Sequence, residues 1–244
     1  MKTVALVFGR KNSKGLKNKN IRKINGKPAF SHVVDEVKKV KSIKKIYVST
    51  DSEYIISKAK KKNCLIINRP KHLCTDRSLL SDAIYHAVDI AKKNEGHIDN
   101  FLILLCNSIC FTHQAINKSL KKIKSNKADS VVTISKFNMF SPVRAMKIEK
   151  DKISNFIPNK VLKKYVNLSG DRDKSTNSFF INHSFTLSKK EVFDKPKNNP
   201  MPFQWIGKNK YFIEQKFCVG DIDFEWQIPV VEWWLKNKKK NKFE

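Results

Sequence analysis

Thr3-Val-Ala-Leu-Val-Phe8 runs directly into Gly9-Arg-Lys-Asn-Ser-Lys-Gly15-Leu-Lys-Asn-Lys-Asn20. The apolar half has the length and composition of a buried strand, and Gly9 ends it in a turn. The second half sets Arg10, Lys11, Lys14, Lys17 and Lys19 around a hydroxyl at Ser13 and a second turn glycine at Gly15. A strand that empties into a basic, glycine-containing loop suits a polyphosphate, because main-chain N–H groups and side-chain cations converge on one anion. Neither Gly-x-x-x-x-Gly-Lys-Ser/Thr nor Gly-x-Gly-x-x-Gly is present, which excludes a P-loop and a dinucleotide fingerprint. Arg10, Lys14 and Lys19 are the catalytic candidates: they would neutralise charge moving onto a leaving pyrophosphate.

Outward from this strand, short β-rich runs alternate with segments of helical spacing. Thr3 to Phe8, Lys45 to Thr50, Cys64 to Asn68, Phe101 to Cys106 and Ser130 to Ser135 read as strands. Ala29 to Lys39, Ser52 to Lys62, Ser78 to Lys93 and Thr112 to Lys124 read as helices, with Asp51 or Ser52 and Ser78 as their starting signals. Such alternation predicts an α/β fold, a mostly parallel sheet wound with helices. The pattern breaks after Ser135, so the expectation is one domain over residues 1–244 with a small β-containing insertion around 138–178, a dimerisation arm or a lid. Further on, a strand is expected around Phe212 to Val219. A final amphipathic helix follows, in which Trp226, Val230, Val231, Trp233 and Trp234 are read as core and packing residues.

Fifty basic residues against 22 acidic ones give a formal charge of +28. The basic residues are 44 Lys and only 6 Arg, accompanied by 22 Asn. Base reading and phosphate forks favour Arg, and apart from Lys236 to Lys242 the charge is spread along the chain, so a nucleic-acid partner is not expected. No apolar run approaches the roughly 18 residues needed to cross a bilayer, and the apolar run after Lys2 is too short for a signal-peptide core. The expectation is a cytoplasmic protein with no membrane partner. Five cysteines without a Cys-x-x-Cys pair suit reduced, packed thiols. The histidines show no metal-type spacing and are read as structural.

Taken in order, the motifs resemble the cytidylyltransferases that activate 2-keto sugar acids, the acylneuraminate and CMP-Kdo synthetase group. The opening loop matches that group's Arg-x-x-Ser-Lys-Gly-x-x-x-Lys-Asn, with Lys11-Asn12 where two glycines are commoner. Gly26-Lys27-Pro28, Val48-Ser49-Thr50-Asp51, the Arg69-Pro70 to Asp76 region with His86 beyond it, Asn177 to Ile181, and Asp221-Ile222-Asp223 follow in the same order. The resemblance implies a Rossmann-like, glycosyltransferase-A-like nucleotidyltransferase fold and a homodimer. It also implies that CTP and an acidic keto-sugar are the partners. Arg10, Ser13 and Lys19 would contact the nucleotide phosphates, Asn20 and Arg69 the cytidine nucleotide, and Ser78 or Ser81 the ribose.

Asp221 and Asp223 would hold Mg2+, or Mn2+. An extended Asp-Ile-Asp projects both carboxylates to one side and Ile222 to the core, supplying hard oxygen ligands to a metal that keeps waters. A helix N-cap is the alternative for Asp223. One stretch departs from the group: Leu105-Cys-Asn-Ser-Ile-Cys-Phe-Thr112 stands in place of Leu-Gln-Pro-Thr-Ser-Pro-Leu-Arg, losing the glutamine used for the sugar. Asn107 or Ser108 is expected to bind the sugar instead, or else to cap the helix near Thr112. The leading expectation is therefore transfer of CMP from CTP to a 2-keto sugar acid, sialic acid or a related nonulosonic acid. A nucleotidyltransferase for another sugar or alcohol, and a non-catalytic nucleotide- or polyanion-binding protein, are the alternatives.

Overall fold

Thr3–Phe8, β1, is buried at all six positions, as expected of a central strand covered on both faces. The computed structural model describes residues 1–12, 15–125, 127–164, 171, 174, 177–216 and 220–238. Following β1, a two-residue hairpin pairs β2 (Lys23–Ile24) with β3 (Lys27–Pro28) and leads into α1 (Ala29–Lys38). Phe30, Val33, Val34 and Val37 are the buried stripe of α1, one helical turn apart. Then come β4 (Lys45–Thr50), α2 (Glu53–Lys60), β5 (Leu65–Asn68), α3 (Leu80–Glu95), β6 (Asn100–Leu105), α4 (His113–Ser125) and β7 (Ser130–Lys136). Ser52 caps α2, its side chain accepting from Ile55 N, and Thr112 does the same for α4 by accepting from Ala115 N at 3.2 Å. Ser78 caps nothing: α3 starts two residues later, with Leu79 at its cap.

The remaining elements are β8 (Met146–Glu149), β9 (Lys152–Asn155), α5 (Asn159–Leu162), β10 (Phe179–Lys189), β11 (Lys210–Glu214) and α6 (Gln227–Asn237). Seven strands form one sheet in the order β11-β7-β10-β6-β1-β4-β5. The four strands β6, β1, β4 and β5 are parallel, whereas β10 runs antiparallel to β6, with Thr186 opposite Ile103. From β1 the chain moves outward to β4 and β5, then returns to place β6 on the other side of β1. The strand order therefore reverses between β1 and β6, and a crevice opens at their carboxyl ends.

Two compact units result. The larger comprises residues 1–133 and 182–244 and holds most of the sheet; the smaller, residues 134–181, carries the antiparallel hairpin β8–β9 and the short α5. The final helix corrects one expectation. Val231 and Trp234 are buried, but Trp226, Val230 and Trp233 are exposed, because only the stripe one turn apart reaches the core. Cys64, Cys106 and Cys110 are buried side chains, as read from the sequence, and Cys218 lies outside the described residues. No described helix is long and apolar enough to cross a membrane.

Candidate active site

A cleft of about 240 Å³ lies at the carboxyl ends of β1 and β6. Gly9, Arg10, Lys19 and Asn20 from the loop after β1 form one wall, and Asn107 and Asp221 form another. Arg69, Thr75, Ser78 and the start of α3 complete it. Of the residues expected at a site, Arg10, Lys19, Asn20, Arg69, Ser78, Asn107 and Asp221 thus meet around one space. Ser81, one residue into α3, is not part of the lining. Ser13 and Lys14 lie outside the described residues.

The loop after β1 is held by contacts that its sequence explains. A Cβ on Gly9 would come within 2.6 Å of Cys106 Sγ and 3.3 Å of Asn20 Cγ, so no larger residue fits where β1 leaves the sheet. Asn20, 5% exposed, donates from Nδ2 to Arg10 O at 2.9 Å and closes the loop on itself. Lys11 N donates to Asp51 Oδ1 at 2.6 Å, which explains the Asp of Val48-Ser-Thr-Asp51 as an anchor. Arg10 reaches across the cleft: Nη1 is 2.9 Å from Asp76 Oδ1 and donates to Thr75 O at 2.8 Å. Ser49 and Asp51 are not among the site residues expected from the sequence, although the Val48-Ser-Thr-Asp51 motif carries both.

Arg69 is buried, and its guanidinium is aimed by its partners. Nε donates to Ser49 Oγ at 3.2 Å and Nη2 to Ser49 O at 2.7 Å, while the group lies 5.8 Å over the Phe8 ring. Burial lowers its pKa from the usual guanidinium value, yet a guanidinium stays charged in proteins. Ser78 Oγ donates to His72 O at 2.6 Å and pairs with Thr75 Oγ1 at 2.7 Å. Its hydroxyl shapes the loop that Arg10 also grips.

Asp221 and Asp223 lie on the segment before α6, which forms no strand although the sequence reads as strand-like there. Ile222 between them is 1% exposed, the alternation expected of Asp-Ile-Asp. Burial pushes the Asp221 carboxyl up to about 6, with the neighbouring Asp223 adding to the effect and Ser108 and Lys19 opposing it. Lys19 Nζ donates to Asp223 Oδ1. Asp223 does not cap α6 with its side chain; instead Gln227 Oε1 accepts from Asp223 N at 2.7 Å and Phe224 N at 2.8 Å. Among the described residues no three His, Cys, Asp or Glu side chains cluster as a metal cage. A half-buried carboxylate pair is nonetheless the donor set that suits a hard dication whose other ligands are waters and phosphate oxygens.

The departing stretch after β6 has a different task from the one expected of it. Ser108, fully buried, donates its hydroxyl to Asp221 Oδ1. It has no exposed surface and is not among the residues that line the cleft. Asn107 forms a two-way link with the carboxylate segment, Nδ2 donating to Ile222 O at 3.2 Å and its carbonyl accepting from Ile222 N at 3.1 Å. The second of these bonds uses the main-chain O of Asn107, and the residue borders the cleft. Neither residue caps α4. Cys106, at the position of the missing glutamine, is wholly buried beneath Gly9, and burial pushes its thiol up to about 12.

An α/β sheet whose basic loop, buried arginine and Asp221 border one crevice at the strand-order reversal is the setting of a nucleotidyltransferase. The chain belongs to the cytidylyltransferase family, which residues 4–195 match. It is 27% identical over 244 residues to the post-translational flagellin modification protein B of Campylobacter coli, covering 95% of this chain and 94% of that one. A pseudaminic acid cytidylyltransferase and UDP-2,4-diacetamido-2,4,6-trideoxy-beta-L-altropyranose hydrolase of Helicobacter pylori is 29% identical over 152 residues, 61% of this chain and 29% of that protein. Among solved structures, CMP:2-keto-3-deoxy-manno-octonic acid synthetase complexed with CTP superposes with a TM-score of 0.67 at 14% identity, covering 98% of this chain and 100% of the other. A 4-diphosphocytidyl-2C-methyl-D-erythritol synthase gives 0.65 at 11% identity over 96% and 98%. At such identities these two structures speak for the fold.

Proposed function

We propose that this cytidylyltransferase activates a 2-keto sugar acid of the nonulosonic class. The anomeric C2 hydroxyl attacks the α-phosphorus of CTP, the bond to the β-phosphate oxygen breaks, and the products are a CMP-sugar and pyrophosphate. The observation that carries the reading is the convergence of Arg10, Lys19, Asn20, Arg69 and Asp221 on one cleft in a chain of this family. The names of the Helicobacter pylori and Campylobacter coli relatives support an acidic sugar destined for a cell-surface structure.

Catalysis on this reading is positioning and charge stabilisation. Arg10 and Lys19, with Lys14 from the same loop, take the phosphate oxygens and offset the charge that gathers on pyrophosphate. Asn20 holds that loop closed, Arg69 and Asn20 bind the cytidine nucleotide, and Ser78 stands nearest the ribose. Asp221 and Asp223 would hold magnesium or manganese, which when bound supplies further neutralisation of phosphate oxygens.

The homodimer and the cytoplasmic setting belong to the same proposal. Support for the dimer comes from hairpin β8–β9, where the cross-strand pair Ile148 and Ile153 is 79% and 70% exposed, an apolar face without a cover among the described residues of its unit. One observation favours a second acceptor class, a different sugar or alcohol: a buried Cys106 stands where the resemblance implies a glutamine for the sugar. Ranking CTP, UTP, GTP and ATP by the thermal stabilisation each confers tests the nucleotide half. CTP leading by several degrees is the expected result, and an equal response to all four counts against it.

A further inference from the structure

The loop after β1 and the segment before α6 are fastened to each other at Asp223. Lys19 Nζ donates to its carboxylate, and Gly15 packs so close that a Cβ there would lie 2.9 Å from Asp223 O. Asp223 is fixed from the other side by Gln227, which takes its N–H and that of Phe224. Its neighbour Ile222 is buried and tied to Asn107. The main chain that carries the short Asp223 side chain is therefore held in place. Lys19, on a long unbranched stem whose side chain is 23% exposed, is the one able to move.

We propose that Lys19 serves as the counter-ion of Asp223 while the cleft holds no nucleotide, so that a divalent cation gains the Asp221–Asp223 pair only once a triphosphate has drawn Lys19 away. The proposal rests on the reading of these two aspartates as the metal carboxylates and adds an order of events to it. A dication approaching the empty cleft must displace an ammonium already bonded to Asp223 and must settle beside its positive charge. Because both side chains are partly exposed, that repulsion is modest, but it opposes the cation wherever Lys19 stays in place. A triphosphate reverses the balance. Lys19 and Asp221 line the same cleft, so phosphate oxygens offer Lys19 a new partner at the moment they supply ligands of their own to the cation. Nucleotide and cation then favour each other reciprocally.

The test uses Mn2+ alone, with free ion followed by its paramagnetic resonance signal. Without nucleotide, Lys19→Met is expected to bind Mn2+ roughly ten-fold more tightly than the wild type. Lys19→Arg, which keeps the charge, should stay near the wild type, and adding Asp223→Asn to Lys19→Met should remove the gain. In EDTA, calorimetric titration with CTP should show tighter binding to Asp223→Asn, whose Lys19 is disengaged, and weaker binding to Lys19→Met. Equal Mn2+ affinities for wild type and Lys19→Met, both weakened by Asp223→Asn, would overturn the counter-ion role while leaving the metal assignment standing. Insensitivity of Mn2+ binding to Asp223→Asn in every background would overturn both.

Discussion

Lys19 on the loop after β1 is hydrogen-bonded through Nζ to Asp223 Oδ1, joining residues 204 positions apart across the mouth of the cleft. Each member has a separate task in the proposed chemistry, phosphate for one and metal for the other. Both side chains are partly exposed, so their mutual attraction is worth at most about 1 kcal/mol of stability. Their value is to the reaction. Lys19→Met should lower kcat/KM for CTP-dependent pyrophosphate release at least about 100-fold, the scale of one transition-state charge contact. Its melting temperature should stay within a few degrees of the wild type. Steady-state kinetics beside calorimetric melting checks both halves of the statement.

Arg69 pairs its proposed role in nucleotide binding with a structural one, because its guanidinium is buried. A lysine in its place cannot span both Ser49 Oγ and Ser49 O, which leaves a buried hydroxyl or carbonyl without its donor. Arg69→Lys is expected to cost about 1 to 3 kcal/mol of folding stability, read by urea unfolding, and to weaken CTP binding about ten-fold. Unchanged stability with weakened CTP binding would show that the fork to Ser49 is dispensable.

Gly9 is a packing requirement. Gly9→Ala places a methyl 2.6 Å from Cys106 Sγ, so the sulfur or the loop must shift, at a cost of about 1 to 3 kcal/mol. Cys106→Ala removes the obstructing sulfur. The double variant should therefore be more stable than the sum of the two single losses implies, a coupling measurable in a double-mutant cycle.

Glu36 contributes to the acid limb of stability, alongside Asp35, Glu95 and Asp99, whose carboxyls are also held below their ordinary values. Burial raises its carboxyl pKa, but hydrogen bonds from Lys39 and His113, with Lys238 nearby, outweigh it and hold the group at about 2. His113 N and Nδ1 approach Glu36 Oε1 at 3.0 and 2.9 Å, so the carboxylate also sits at the start of α4. A carboxyl depressed in the folded state stabilises fully above its unfolded pKa and loses that contribution as pH falls through the folded value. The contribution, at most about 3 kcal/mol, should be complete above pH 4.5 and fade toward pH 2. Urea unfolding across that range should show it, and Glu36→Gln should be less stable at neutral pH with a flatter acid limb.

What the sequence disclosed and what it withheld follow from the range of the interactions involved. Strands β1, β4 and β6 are legible because a parallel strand buried on both faces reads as an unbroken apolar run. Arg10, Lys19 and Arg69 are legible because their motif order survives. The antiparallel placement of β10 beside β6 is a long-range pairing that no local pattern encodes. Asn107 and Ser108 look like sugar ligands or helix caps until the fold brings Ile222 and Asp221 to them from more than 100 residues away. Trp226, just before α6, and Trp233, within it, share the composition of a core stripe but not its phase.

The central claim is the transfer of CMP from CTP to an acidic keto-sugar, and it is tested most directly by pyrophosphate release across a panel of nonulosonic acids and Kdo. The account predicts release with at least one nonulosonic acid, dependent together on CTP, a divalent cation and the sugar, with a CMP-sugar as the second product. Folded protein that binds CTP but releases no pyrophosphate with any member of the panel would contradict it.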